Sequence, residues 1–489
     1  MRLLKLTALS LMLAAPVRAQ SAVPATLSID EAIAIAKKNN PSFLETQNSR
    51  QRAANAVRNA YGAFLPTAST NFGTSYREGR PQFFAGVQFG SNSDVLSSSW
   101  GLNFNANVSA NTFANLRRSQ QSVDASDADV TAAEQSLVAG VRQQYLLVLQ
   151  AGARAGLQDT LVAANQLQLD LARARAGVGA ATSLDVMRAE VAVGQQQVAA
   201  LRAKNTADIT MLQLFQQLGV AMPERVSLTS QFQVTEPSLN VQTLLQMAEE
   251  ANPALKAVRA RALVAQTTYR QAQGAYLPSL SANASFGGTS QKYQDGDFLV
   301  NQTQTSTINS QRSCFTTDSM RRGAGMPAIT NQCSAIVFSD AQANALRAQN
   351  RDYPFKFTPN PYNLSLSVSL PLFDGLSRET QLQDASASRM DAQYRVRAQE
   401  LRLTTDVTSA WTTLTAGYRA FRLQEQNAQA ARTALQLAQE RYRVGLNSLV
   451  DLQQARADFD RAETDRIDAL YEFHRSFAAL ESAVGRPLR

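Results

Sequence analysis

Histidine is nearly missing from this chain and cysteine is scarce. His474 is the only histidine in 489 residues, and Cys314 and Cys333 are the only cysteines. One imidazole and two thiols do not make the clustered spacings of a metal centre, and the chain has neither a nucleophile elbow nor a phosphate-binding glycine loop. The sequence therefore predicts no enzyme, no cofactor and no metal. His474, in the helical run YEFHRSFAAL beside Phe473, reads as a packing or surface residue. The two thiols read as one disulfide in an oxidising compartment, closing a loop poor in other structure signals. In the chain-entropy view such a cross-link contributes about 3 kcal/mol. A redox or metal role is the alternative, with no neighbouring histidine to support it.

Long hydrophobic runs are also missing. The first 19 residues, MRLLKLTALSLMLAAPVRA, have the basic start, short apolar core and small-residue end of a secretory signal peptide. Beyond them no stretch approaches the roughly 18 apolar residues of a membrane helix, so any membrane insertion uses strands. The formal charge of +8 falls by three when Arg2, Lys5 and Arg18 leave with the leader. The remaining arginines alternate with acids, as in RADFDRAETDRIDAL, and read as solvated helix faces rather than a nucleic-acid patch.

What is present is repetition. LSIDEAIAIAKKNNPSF from Leu27 matches LNVQTLLQMAEEANPAL from Leu239 at an offset of 212, which also carries GAFLP at Gly62 onto GAYLP at Gly274. Later the offset is 266, placing Tyr145 on Trp411, Val178-Gly179 on Val444-Gly445, Asp185 on Asp451 and Gly219 on Gly485. The chain is a duplication, with residues 20–223 as the first repeat and 224–489 as the second. The larger offset measures extra length in the second copy, most of it in the loop 287–361 that holds both cysteines.

Each copy holds one strand pair, at about 67–110 and 279–370. Leu364, Leu366 and Val368 alternate with Ser365, Ser367 and Ser369, and Phe104, Ala106 and Val108 with Asn103, Asn105 and Asn107. Period-two alternation gives each sheet an apolar and a polar face. In a soluble sandwich the apolar face is the core. In an outer-membrane barrel it meets lipid, and a small polar face lines a wet lumen. The export signal and the Ser, Asn and Gly of the polar face favour the barrel.

The rest is helix, in proline-free hairpins at about 116–218 and 376–484. Val407, Trp411, Leu414, Tyr418 and Phe421 step by heptad spacing, as do Val138, Val141, Tyr145 and Val148. Each rod of roughly 100 Å ends in a glycine break, at Gly177 and Gly179 or at Gly445, followed by Thr or Ser and Asp, the signature of a hairpin turn. Pro66 and Pro278 each stop a helix and start a strand. Four strands cannot close a barrel, and an open sheet edge cannot sit in lipid. Two chains would give 8 strands and three would give 12, and only the wider barrel leaves a channel, so the sequence predicts a homotrimer in outer-membrane lipid.

In the order and spacing of GAFLP, GAYLP, LPLFDG at Leu370 and YRVGLNSLVDLQQA at Tyr442, over nearly the whole chain beyond the leader, the sequence resembles the TolC-like outer membrane efflux proteins. The resemblance implies an α+β membrane protein: a long α-helical coiled-coil tunnel in the periplasm, plus four strands per chain in a trimeric 12-stranded β-barrel. It implies a passive exit duct that docks a periplasmic adaptor protein and an inner-membrane transporter of the RND or ABC type. It places adaptor docking on the turns Val178-Gly179-Ala180 and Val444-Gly445-Leu446, which also read as plain structural turns. It places a periplasmic gate at Asp451, Tyr442 and Asp185, with Asp451 equally readable as a helix-start residue. Gln454 and Asn447 depart from the family pattern, where a second carboxylate and a latching arginine can stand; Arg441 and Arg443 are the nearest substitutes. The competing function is an outer-membrane anchored coiled-coil adhesin.

Overall fold

The computed structural model describes residues 24–91, 93–230 and 232–488; the predicted leader lies outside them. The first copy runs β1 (Thr26–Leu27), α1 (Ile29–Asn39), α2 (Pro41–Gly62), β2 (Thr67–Arg77), β3 (Pro81–Phe84), β4 (Val87–Ser91), β5 (Val95–Ser109), α3 (Ala110–Gly177) and α4 (Ser183–Leu218). The second runs β6 (Ser227–Leu228), α5 (Val241–Ala251), α6 (Pro253–Gly274), β7 (Ser279–Tyr293), α7 (Phe298–Gly323), α8 (Thr330–Ser334), α9 (Asp340–Arg351), β8 (Thr358–Pro359), β9 (Asn363–Ser369), α10 (Ser377–Arg443) and α11 (Leu449–Val484). Residues Arg58–Leu116 and Arg270–Leu382 form a sheet unit, and the remaining described residues form a helical unit.

The helical unit has two cores built to one plan. In the first, Ala36 packs with Val141, Val148, Leu214 and Leu218; in the second, Ala248 packs with Val407, Leu414, Leu480 and Val484 at the equivalent positions. These are the heptad positions of the long helices, so the seam is buried as its period requires. The same lock closes both cores. Asn40 caps α2 by accepting from the Phe43 N–H at 3.0 Å, and its amide donates to the Gln217 carbonyl at 2.8 Å. Asn252 caps α6 through the Leu255 N–H at 3.0 Å and donates to the Ala483 carbonyl at 2.8 Å. One side chain thus starts one helix and terminates another, with proline in the first helical position, where it loses no hydrogen bond.

Glycine completes the lock. Gly219 and Gly485 have φ of 75° and 87°. A Cβ at Gly485 would sit 2.8 Å from Asn252 Cα. Positive φ and close approach both demand glycine there.

In the sheet unit, β2 pairs with β5, β5 with β7, and β7 with both β8 and β9, all antiparallel, so the last two are one interrupted fourth strand. Register keeps the faces distinct. Phe72 lies opposite Trp100, Leu102 opposite Phe286, and Ala282 opposite Leu366, while Asn103 lies opposite Ser285 and Ser281 opposite Ser367. On the polar face the Ser281 and Ser367 hydroxyls are 2.8 Å apart. Before each strand the helix tightens to i→i+3 bonds: Leu65 N–H donates to Gly62 O, and Leu277 N–H to Gly274 O. Pro66 and Pro278 then end the helical pairing.

The long second loop differs from its expected form. The strand β7 continues to Tyr293, and the segment beyond it folds into α7, α8 and α9. The run NQTQTSTINSQRS is rich in residues of modest helix propensity and has no clear apolar stripe, so its helicity is invisible to a periodicity reading. Tertiary ties hold it instead. Cys314 and Cys333 are disulfide-bonded. The fully buried Asp318 accepts from the Ile329 N–H at 2.5 Å and the Thr330 hydroxyl at 2.7 Å, and pairs with Arg322 at 3.2 Å.

The two positive-φ glycines Gly485 and Gly445 separate conformational strain from crowding, because no atom lies within 4 Å of a Cβ built on Gly445. Gly485→Ala should lower the thermal midpoint of the assembled protein clearly more than Gly445→Ala, whose cost should stay near 1 kcal/mol. Equal midpoints would show that the lock tolerates a methyl group.

Candidate functional site

The two hairpin tips are built alike. At the end of α3, Gly179 has φ of 75°, its N–H donates to Ala176 O at 3.0 Å, and the Ala180 N–H donates to Arg175 O at 2.8 Å. At the end of α10, Gly445 has φ of 80°, its N–H donates to Tyr442 O at 3.1 Å, and the Leu446 N–H donates to Arg441 O at 2.8 Å. Both are Schellman turns, which satisfy the last carbonyls of a helix and need a left-handed residue. Each returning helix then opens with a capping box. Thr182 and Asp185 cap α4, and Ser448 and Asp451 cap α11.

The turns carry bare apolar side chains outward. Val178 is 80 % exposed, Val444 63 % and Leu446 77 %, with Ala180 exposed beside them. Beneath them each hairpin has a small apolar plug. Ala172, Ala189 and Val193 pack with Leu169 in the first; Ala438, Tyr442, Leu449 and Leu452 pack in the second.

The predicted gate residues have separate duties. Asp451 Oδ2 accepts from Ser448 N at 3.0 Å and Ser448 Oγ at 2.9 Å. Asp185 Oδ2 accepts from Thr182 N at 3.0 Å and Thr182 Oγ at 2.8 Å. The backbone N–H of Thr182, then its hydroxyl, hold the Asp185 carboxyl below the ordinary carboxylate value, aided by the charge of Arg188. Tyr442 is buried, and what reaches it from the first hairpin is Arg175, not Asp185. The Arg175 guanidinium lies 4.7 Å from the Tyr442 ring centroid, and its Nη2 donates to the Arg443 carbonyl at 3.1 Å. Arg443 itself pairs with Glu440 at 3.0 Å on its own helix. At the tips, the arginine that reaches from one hairpin to the other is thus Arg175, of the first copy.

Sequence reading missed Arg175, though a signal existed. At the offset of 266, Ala176 corresponds to Tyr442 and Gly177 to Arg443. Of these differences, the one from Ala176 to Tyr442 supplies the aromatic face that Arg175 holds.

A second missed feature is a polar seam between α3 and α11. Arg142 pairs with Glu481 at 2.7 Å, Gln150 donates to Asp468 at 2.7 Å and accepts from Arg475 at 2.8 Å, and Arg154 pairs with Asp468. Further along, Gln158 donates to Asp460 at 3.3 Å and Arg456 donates to Asn165 at 2.8 Å. Burial raises the Asp460 carboxyl and lowers the Arg456 guanidinium from their ordinary values. Within each hairpin an apolar plug packs beside ion pairs such as Arg173–Glu190 and Arg432–Glu463, whereas these ties between α3 and α11 are polar.

Three comparisons bear on this arrangement. A family model described as outer membrane efflux protein matches residues 32–220 and 337–486. The chain is 22 % identical over 454 residues to the outer membrane protein TolC of Escherichia coli, covering 92 % of this chain and 80 % of that one. Among solved structures, the Campylobacter jejuni CmeC outer membrane channel superposes with a TM-score of 0.70 at 15 % identity, covering 94 % of this chain and 85 % of that one. The outer membrane protein VceC of Vibrio cholerae gives 0.67 at 16 %, covering 94 % and 97 %. The anchored-adhesin alternative finds no support in these likenesses.

Because its folded pKa is lowered, the Asp185 carboxylate contributes its full stabilisation above the ordinary value of 3.8, and loses it as pH falls through the lowered value. Protection of the Asp185 amide against hydrogen exchange should therefore be insensitive to pH in the neutral range, once intrinsic rates are removed. It should fall by about 5- to 30-fold in Thr182→Ala, matching a cap of about 1–2 kcal/mol. An unchanged rate in that variant would show the cap to be idle.

Proposed function

The chain belongs to the outer membrane efflux protein family, and we propose that it is a homotrimeric exit duct: a passive channel-tunnel that receives cargo from an inner-membrane transporter through a periplasmic adaptor. It is an outer-membrane protein with a large periplasmic portion. The observation that carries the trimer is the sheet. Its outer strands, β2 and β9, each pair on one side only, and its apolar face is continuous across all four strands. In hydrocarbon the unpaired edges must be closed by other copies, and three copies give a 12-stranded barrel with a wet lumen lined by Ser and Asn.

The tips support adaptor docking. Exposed Val178, Val444 and Leu446 on rigid turns present apolar knobs of the kind a coiled-coil hairpin covers. The transporter behind the adaptor is of the RND or ABC type, and the wall chemistry does not select a cargo. Leu446→Asp together with Val444→Asp should leave trimers intact in mild detergent but weaken adaptor capture at least tenfold, with loss of resistance to exported toxic compounds. Full resistance in that variant would remove the tips from the docking surface, and a monomeric mass in mild detergent would overturn the duct itself.

The gate follows from the contact between tips. Arg175 holds Tyr442 and the Arg443 carbonyl, and three Asp451 carboxylates around the axis attract cations. Tyr442→Phe keeps the aromatic face and should preserve the closed state, whereas Tyr442→Ala and Arg175→Ala should each raise single-channel conductance in planar bilayers several-fold. Asp451→Ala should reduce cation preference without this rise. Conductance rising equally in the Phe and Ala variants would replace the ring contact by a hydroxyl bond.

A further inference from the structure

The inserted helices of the second copy do not hang free of the sheet; a short segment straps them onto it. In the sequence this segment is RDYPFKF, Arg351 to Phe357, with three aromatic residues, two basic residues (Arg351 and Lys356) and one acid, Asp352, which pairs with Lys356 at 2.7 Å. Phe355 stacks on Phe72 with ring centroids 6.2 Å apart, and Phe357 meets the edges of Phe72 at 6.1 Å and Trp100 at 6.4 Å. The Tyr353 and Thr74 hydroxyls are 2.8 Å apart, and Ser98 Oγ donates to the Pro354 carbonyl at 2.6 Å. Thr74, Phe72, Ser98 and Trp100 all belong to the apolar face, because Thr74 lies opposite Ser98 and Phe72 opposite Trp100.

The position along the strands is as informative as the face. From Trp100 to Val108 the outward residues of β5 span eight residue steps, about 27 Å along the strand, or roughly 20 Å of height at barrel tilt. That covers most of an apolar band about 25 Å tall. Beyond Trp100 the same face turns to Ser98, which the strap helps to bury, and Thr74, whose hydroxyl it bonds. Aromatic rings at this level, with basic side chains beside them, have the chemistry of a membrane–water boundary, where rings sit among headgroups and long cationic chains reach to phosphate. Phe355 is 73 % exposed despite its stacking, and Arg351 and Lys356 are exposed too.

We propose that residues 351–357 are an interfacial strap lying on the outer-leaflet lipid headgroups, and that the disulfide-bonded insert rides outside the barrel as a collar rather than across its mouth as a lid. This rests on the apolar face meeting lipid. Contacts made on that face place the insert on the outer wall, and the partner it fits is a phosphate-bearing lipid surface.

The full chain has no free cysteine among its described residues, so Phe355→Cys and Leu366→Cys each offer one thiol for a fluorophore. Both variants would be reconstituted in vesicles of phosphatidylethanolamine and phosphatidylglycerol. Leu366, midway along the apolar face of β9, should be quenched by acyl-chain nitroxide lipids; failure there overturns the lipid-facing reading and this inference with it. Phe355 should be quenched at least twofold more by headgroup nitroxide lipids than in vesicles without them. Quenching of Phe355 by aqueous iodide alone, with Leu366 behaving as expected, overturns the strap and spares the barrel. A variant with residues 298–349 replaced by a Gly–Ser linker should keep its single-channel conductance, and a rise of twofold or more would make the insert a lid.

Discussion

A backbone amide or carbonyl with no partner cannot rest in hydrocarbon, and this one constraint governs the molecule. The chain makes a sheet with a lipid-compatible face but leaves two edges open, so it is incomplete alone in the place where it works. The duplication answers half of the problem. The contact between β5 and β7 joins the first copy to the second inside one chain, and the proposed trimer would repeat it between β9 of one chain and β2 of the next. Closure then needs only the repetition of a contact the chain already contains. The helical unit obeys the same economy, since both of its cores are closed by one asparagine, one proline and one left-handed glycine.

The contrast between the contacts within hairpins and those between them bears on motion. Parting α3 from α4, or α10 from α11, breaks ion pairs such as Arg173–Glu190 and Arg432–Glu463 and also exposes leucine, valine and alanine side chains, at about 25 cal/mol for each Å². Parting α3 from α11 exposes groups such as Arg154 and Asp468, which water solvates nearly as well as they solvate each other. Half-exposed ion pairs of this kind contribute about 0–1 kcal/mol each. By this account a hairpin parts from its neighbour at lower cost than its own two helices part from each other. The interaction at the tips, between Arg175 and Tyr442, sits at the end of this polar seam, where a small rotation has its largest displacement.

Much of this was legible in the residues because it depends on period and punctuation. The repeated Asn-Pro and the GAFLP and GAYLP junctions located helix starts and helix-to-strand changes, and alternation in NLSLSVS assigned the faces of β9. The heptad steps through Val407 and Leu414 named the second core. What escaped depended on contacts without period. The helix α7 has no continuous apolar stripe and is tied by a disulfide and the buried Asp318, neither of which leaves a helical signature. Arg175 looked like one more arginine at a helix end, where favourable interaction with the helix dipole would be reason enough for it. Asp185 and Asp451 were visible as carboxylates after a turn, but their first allegiance is to Thr182 and Ser448, through bonds a sequence suggests only as a capping box.

The divergence between Ala176 and Tyr442 has a consequence for symmetry. Two identical copies per chain would make a sixfold ring when three chains assemble, with every leaf held alike and none able to move before the others. With a tyrosine in one copy and an alanine in the other, the proposed trimer would have two kinds of joint between hairpins, the Arg175–Tyr442 contact standing at one kind only. Such a ring would be threefold at its tips and nearly sixfold in its wall. Alternate joints would then part at different costs, which is the minimum asymmetry a diaphragm needs.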